Sequence, residues 1–191
     1  DTVQYFQFRK GRGGSEKHHG AVVDHVGHEG TRVFRDVAEV GSILKQFDEV
    51  VGTTVDARVA ILHDWDSRWA LKHTQGFGTE KQKDYVATAA AHHRPFWRRG
   101  IATDVIHPTM SFDGYALLVA PMMYLLQPGV ADRLCAFVEA GGTLVATYLT
   151  GYVNQTNLCY TTGWPGEGLR ELFGVWNEEM DTMFDDDPQS V

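Results

Sequence analysis

Residues 9–25, RKGRGGSEKHHGAVVDH, crowd arginine, lysine, glycine, histidine and acidic side chains into one stretch. The guanidinium groups of Arg9 and Arg12 suit bidentate contacts with carboxylates. Glycines at 11, 13 and 14 allow tight turns and a close approach of backbone to a ligand. An ionised Glu16 can only accept hydrogen bonds, whereas the imidazole of His19 can donate or accept. On chemistry alone the stretch reads either as the rim of a ligand site or as a solvated polar loop. Further along, Asp24, His25 and His28 could suggest a metal, but no additional ligand at a regular spacing fixes a geometry, so they read as solvent-facing. His92 and His93, adjacent on a predicted helix, point in different directions. No metal and no cofactor is expected.

Two other groups of residues invite a chemical reading. HDWDSRWAL (63–71) sets Asp64, Trp65 and Asp66 just after a predicted strand, where open α/β folds bind ligands. No GxGxxG or GxxxxGK[ST] pattern follows any strand, which counts against a nucleotide site. Cys135 and Cys159 are far apart and lack CxxC or Cys/His spacing, so neither a zinc knuckle nor a disulfide scaffold is supported, and a reducing, cytoplasmic setting is the default.

The elements that must position these residues follow from periodicity. TVQYFQF (2–8) reads as a strand covered on both faces, and a long loop runs from there to about Gly30. Val33, Val37, Val40, Leu44, Phe47 and Val51 recur at steps of three and four, one stripe of a helix with Thr31 as N-cap and Gly52 as stop. Buried from water, such side chains contribute about 1.5–3 kcal/mol each, so the stripe and the first strand require cover. Strands are predicted at 57–64, 101–107, 115–121 and 143–148, with helices at 79–100, kinked or broken by Pro95, and at 129–142. The alternation indicates a parallel sheet covered on both faces, a flavodoxin-like, doubly wound domain over about 53–180. The charged, proline-containing end, MFDDDPQSV, reads as an interdomain linker, placed at 181–191.

Composition narrows the class. With 191 residues, 43% of them hydrophobic, the chain can bury a real core. A net charge of -8 argues against nucleic-acid or anionic-membrane partners, because binding phosphate needs a clustered cationic excess. The longest apolar run, ALLVAPMMYLLQPGVA, is interrupted by two prolines, and DTVQYFQF has no basic leader or cleavage site.

The order of these segments resembles glycoside hydrolase family 42, the β-galactosidases. QYFQFRKGRGGSEKHHGAVV is similar to the last strand and following loop of that family's (β/α)8 barrel, and TRVFRDVAEVG to its final helix. ARVAILHDWDSRWAL, FWRRGIATDVIHP, YALLVAPMMYLL and VEAGGTLVATYLTGYVN resemble successive segments of its trimerisation domain. The resemblance implies a barrel remnant at 1–52 and a trimerisation domain at 53–180. It implies that Glu16 and His19, in an E-x-x-H pattern, bind galactose. His18 stands where the family commonly has an aromatic or apolar residue. The family's two catalytic glutamates belong to earlier barrel strands; Asn177-Glu178 mimics the dipeptide of the acid/base but follows the second domain's last helix. The resemblance thus implies a portion of a retaining β-galactosidase that holds one wall of the galactose pocket and lacks the catalytic carboxylates.

It also implies a homotrimer. Trp65, Trp69 and the 148–160 loop are read as subunit interface, as are Trp97 and Arg98, while Phe96 and the methionines of MMYLLQP, Met122 and Met123, are read as core. The rival class is a non-enzymatic α/β module that assembles or binds a ligand by itself. The fold also resembles class I glutamine amidotransferases, but no cysteine occupies the strand-to-helix position of a nucleophile.

Overall fold

Four short runs of Val, Leu, Ile and Ala pair side by side in the computed structural model, which describes residues 3–75 and 83–180. They are β1 (Val59–Leu62), β2 (Thr103–Ile106), β3 (Leu117–Ala120) and β5 (Thr143–Ala146), all parallel, in the order β2-β1-β3-β5. The chain divides into two units, Asp1–Thr54 and Val55–Val191, and this α/β sheet is the centre of the second.

Alternation along each strand separates the two faces. Ala60, Leu62, Ile106, Leu118 and Ala120 point to one side. There they pack against Val130, Ala131 and Leu134 of α4 (Val130–Glu139) and Leu169 of α5 (Leu169–Phe173). On the other side Ile61 and Val119 are buried against Ala89 and Phe96 of α3 (Tyr85–Arg98). The same register row continues outward to Val105 and Val145, which are 60% and 43% exposed. The expectation of a sheet covered on both faces therefore fails at the edges. Among the described residues α3 covers the centre of that face, since α2 (Trp65–His73) lies instead against β4 (Leu125–Leu126). A two-stranded parallel sheet of β4 and β6 (Val153–Asn154) forms a second core with Ala70, Leu71, Met122, Tyr124 and Tyr152.

Pro95 lies within α3 and does not end it, so of the kink or break its chemistry predicts the break does not occur. Its missing N–H forfeits one bond near the C-terminus, and Phe96, packed on Ile61 and Val119, anchors the last turn. The Phe96 carbonyl then accepts from Arg99 and Ile101 N–H, each at 3.0 Å. Residues 79–82 of the predicted helix and the predicted linker at 181–191 lie outside the described residues.

In the first unit, α1 (Arg32–Leu44) starts at Thr31, whose hydroxyl accepts from Phe34 N–H at 3.4 Å. It stops well before Gly52. Bonds from Gln46 to Ile43 and from Phe47 to Leu44 tighten its end, and a 3₁₀ turn (Asp48–Val50) follows. No residue of α1 is buried, and Ile43, Leu44 and Phe47 are 44–47% exposed. A helix draws most of its stability from packing of its apolar face, and within its own unit the stripe of α1 stays exposed among the described residues.

The strand predicted at 2–8 is corrected more sharply. Tyr5, Phe6 and Phe8 are 48%, 73% and 69% exposed, and among the described residues the nearest ladder contact is an isolated parallel bridge just beyond the segment, Arg9 with Val23. A strand needs ladder partners, and residues 22–23 are the ones the described residues supply. Gln7, at φ +61°, also turns the chain out of the extended region.

Candidate functional site

The basic stretch folds as a loop closed at its base. Val22 N–H donates to Gln7 O at 3.4 Å, Val23 N–H to Phe8 O at 2.8 Å, and Lys10 N–H to Val23 O at 2.9 Å. Ala21, Val22 and Val23 are buried behind this seam, so the small apolar residues after the loop act as its anchor. At the other end, Gly14 takes φ +73° and a turn closes through His19 N–H to Glu16 O at 2.9 Å. Glu16 and His19 are thereby brought onto one exposed turn, and Gln7 Nε2 donates to Glu16 Oε2 at 3.3 Å.

The Asp/His cluster has local work to do. Lys10 Nζ pairs with Asp24 at 3.2 Å, and His25 Nε2 meets Gly11 O at 2.8 Å, tying the loop's flank to its base. Asp24 is held below the usual carboxylate range, chiefly by the N–H of His25 and then by Lys10. His28 Nδ1 accepts from Gly30 N–H at 3.0 Å. Among the described residues no group of three or more His, Cys, Asp or Glu could hold a metal ion. Arg9, Lys10, Arg12, Asp24 and His25 line a hollow of about 280 Å³, and Glu16 and His19 are not part of its wall.

In the second unit the chemistry-bearing residues after β1 form a structural network that the sequence reading missed. Asp64 is 1% exposed and caps α2, accepting from Asp66 N–H at 2.9 Å and from Ser67 N–H at 3.3 Å. Ser67 Oγ lies 3.1 Å from the same carboxylate, and His107 Nε2 reaches it at 3.2 Å from the end of β2. Tyr85 Oη accepts from Asp64 N–H at 2.8 Å, and burial pushes that phenol up to about 12. His63, edge-on to Trp65 at 5.1 Å, has its pKa lowered by burial. The missed signal was the N-cap aspartate, with Asp66 in the first turn and Lys72 and His73 in the last.

The four residues read as interface are all on the surface. Trp65 and Trp69 are 49% and 59% exposed on α2, their rings 6.2 Å apart, with the Arg68 guanidinium 4.8 Å above Trp65. Trp97 and Arg98, on the last turn of α3, border a groove of about 630 Å³ floored by Ile61 and Val105. The 148–160 segment is not wholly surface: Leu149, Tyr152 and Val153 are buried in the second core, leaving Tyr148 and Leu158 outside. Met122 and Met123 are buried. Cys135 lies inside α4 and Cys159 in an exposed loop. Asn177 exchanges backbone bonds with Trp164 beyond α5, and Glu178 is exposed.

Comparison with known proteins places these features in one lineage. Residues 57–191 match the family described as Beta-galactosidase trimerisation domain, and residues 1–47 the family described as Beta-galactosidase. Beta-galactosidase Pbg of Clostridium perfringens is 52% identical over 191 residues, all of this chain and 27% of that protein. Beta-galactosidase GanA of Bacillus subtilis is 48% identical over 191 residues, with 28% of that protein covered. Among solved structures, Gan42B, a GH42 β-galactosidase from G. stearothermophilus, superposes with a TM-score of 0.84 at 49% identity, covering 97% of this chain and 27% of that one. The cold-adapted β-galactosidase of Rahnella sp. R3 gives 0.80 at 50% identity with the same coverage. The chain belongs to glycoside hydrolase family 42, a family of β-galactosidases, and it spans about 27% of the length of these relatives.

Proposed function

We propose that this chain is the portion of a retaining β-galactosidase that supplies one wall of the galactose pocket and the subunit contacts of a homotrimer. The observation that carries the first half is the shared turn of Glu16 and His19, exposed and set on a loop tied at its base. A carboxylate can accept from sugar hydroxyls while a neighbouring imidazole donates or accepts, and a sugar site needs several such contacts converging. Retention requires two carboxyl groups about 5 Å apart, a nucleophile and an acid/base. Both come from parts of the parent outside these residues, so the chain alone is inactive. Residues 1–52 are the last strand, substrate loop and final helix of a (β/α)8 barrel. The exposed faces of Phe6, Phe8 and α1 support this reading, because barrel neighbours would cover them.

The second half rests on the Val55–Val191 unit. Its strand order supports a flavodoxin-like fold. Trp65, Trp69, Trp97 and Arg98 form the trimer contact, their exposure and aromatic character suiting an interface. The enzyme works in the cytoplasm, and its partners are galactosides rather than nucleic acid or membrane. The exposed groove beside α3 favours one rival, a non-enzymatic interaction module.

The test is kinetic and hydrodynamic. In the full-length parent, Glu16→Ala and His19→Ala should each raise KM for a chromogenic β-galactoside at least tenfold, and light scattering of the present chain should give a trimer without hydrolysis. Hydrolysis by the chain alone, or unchanged KM in both variants, would overturn the enzymatic reading; a monomer would overturn the placement of the interface.

A further inference from the structure

We infer that Gln7 is a positioning residue for galactose recognition, one that sets the orientation of the Glu16 carboxylate. The inference rests on the reading of Glu16 as a galactose ligand. Gln7 sits at the base of the loop and Glu16 at its tip, nine residues later, and the amide Nε2 spans the gap to Glu16 Oε2 at 3.3 Å. Among the described residues this is the single hydrogen bond to that carboxylate. An ionised carboxylate only accepts, so the end of the amide that faces it must be the NH₂, which fixes the orientation of the side chain.

Three further observations indicate that position 7 is set for this contact. The Gln7 backbone is left-handed at φ +61°, a conformation that a non-glycine side chain adopts at a cost. Its carbonyl is held by Val22 N–H and the next residue's by Val23 N–H, so the strained residue lies within the seam that closes the loop. The far end of the amide, Oε1, is buried and has no hydrogen-bond partner among the described residues. A buried acceptor without a donor destabilises the fold, so packing does not account for the amide, while its Nε2 bond does. With Oε2 held by Gln7, Oε1 of Glu16 stays available for a sugar hydroxyl, and the carboxylate loses the rotational freedom it would otherwise surrender on binding. The ties from Lys10 to Asp24 and from His25 to Gly11 fix the loop's other flank, leaving Gln7 as the tie that reaches its tip.

The test is a double-mutant cycle in the full-length enzyme that contains this chain. Gln7→Met keeps length and removes the donor; Gln7→Glu keeps shape and turns the donor into a second carboxylate facing the first. Gln7→Met should raise KM about tenfold with kcat changed less than twofold, Gln7→Glu should raise it further, and neither should shift the melting temperature by more than about 3 °C. In a Glu16→Ala background, adding Gln7→Met should change kcat/KM less than twofold. A tenfold loss that persists without the Glu16 side chain, an unchanged KM in Gln7→Met, or a Gln7→Glu variant as good as wild type would each overturn the inference. If Glu16→Ala alone leaves KM unchanged, the reading of Glu16 as a ligand fails instead. Should Gln7→Met fail to fold, Gln7→Glu in both backgrounds gives the same decision.

Discussion

Replacing Asp64 by alanine removes the carboxylate that joins the ends of β1 and β2 to the start of α2. Its oxygens take two backbone N–H groups of the helix, the Ser67 hydroxyl and His107 Nε2. Loss of an N-cap costs about 1 kcal/mol, and hydrogen bonds to a charged group contribute about 1.5–3 kcal/mol. Ser67 is only partly stranded, because its Oγ also lies 3.3 Å from Leu125 O and 3.0 Å from Leu125 N. A total of about 3 kcal/mol follows, which for a unit of this size lowers the melting temperature by about 10 °C. Asp64→Asn keeps an acceptor for the cap and should cost about 1 kcal/mol. The check is thermal and urea unfolding of both variants beside the wild type, followed by circular dichroism. Because the carboxylate is 1% exposed, the differences should survive 0.5 M salt. If Asp64→Ala lies within 1 kcal/mol of wild type, or Asp64→Asn is the worse of the two, the network does not hold α2 in place. Trp65 and Trp69 ride on that helix, so under the proposed trimer contact Asp64→Ala should also lower the mass found by light scattering.

Three further outcomes follow from the same physics. The Tyr85 phenol, raised by burial from 10 to about 12, contributes stability that is complete below pH 10 and lost as pH rises through about 12, about 2–3 kcal/mol in all; Tyr85→Phe should flatten that part of the alkaline unfolding curve, and an unchanged curve would refute its burial. Gly142→Ala would place a methyl 2.3 Å from the Phe137 ring, so the ring must move off its edge-on contact with Phe112 at a cost of about 1–3 kcal/mol, measurable as a lower urea midpoint; an unchanged midpoint means the ring yields freely. A thiol reagent at pH 8 should modify exposed Cys159 about tenfold faster than Cys135, whose thiol is pushed up by burial and by the nearby carboxylates of Glu139 and Asp132; equal rates on a mass-spectrometric time course would contradict that difference.

The chemical class of this chain lay in local pattern. The runs around Ala60, Val105, Leu118 and Val145 declare parallel strands, because a strand inside an α/β sheet needs apolar residues in succession, and all four formed, though only the central pair, β1 and β3, is largely buried. Thr31 announces the start of α1 through its hydroxyl, and the order of segments around the E-x-x-H turn identifies the family. What the sequence did not contain were outcomes that depend on which surfaces meet. WDSRWALKH has a weak apolar stripe, and it becomes α2 through its Asp64 cap and its packing on Leu125 and Tyr152. LL and VN are too short to declare themselves as strands and exist only because they pair with each other. TVQYFQF has every propensity of a strand, yet the described part of it forms none and a lone bridge follows at Arg9, since propensity does not supply a partner ladder. The Gln7–Glu16 contact spans nine residues of loop, a distance at which composition says nothing and closure of the backbone decides everything.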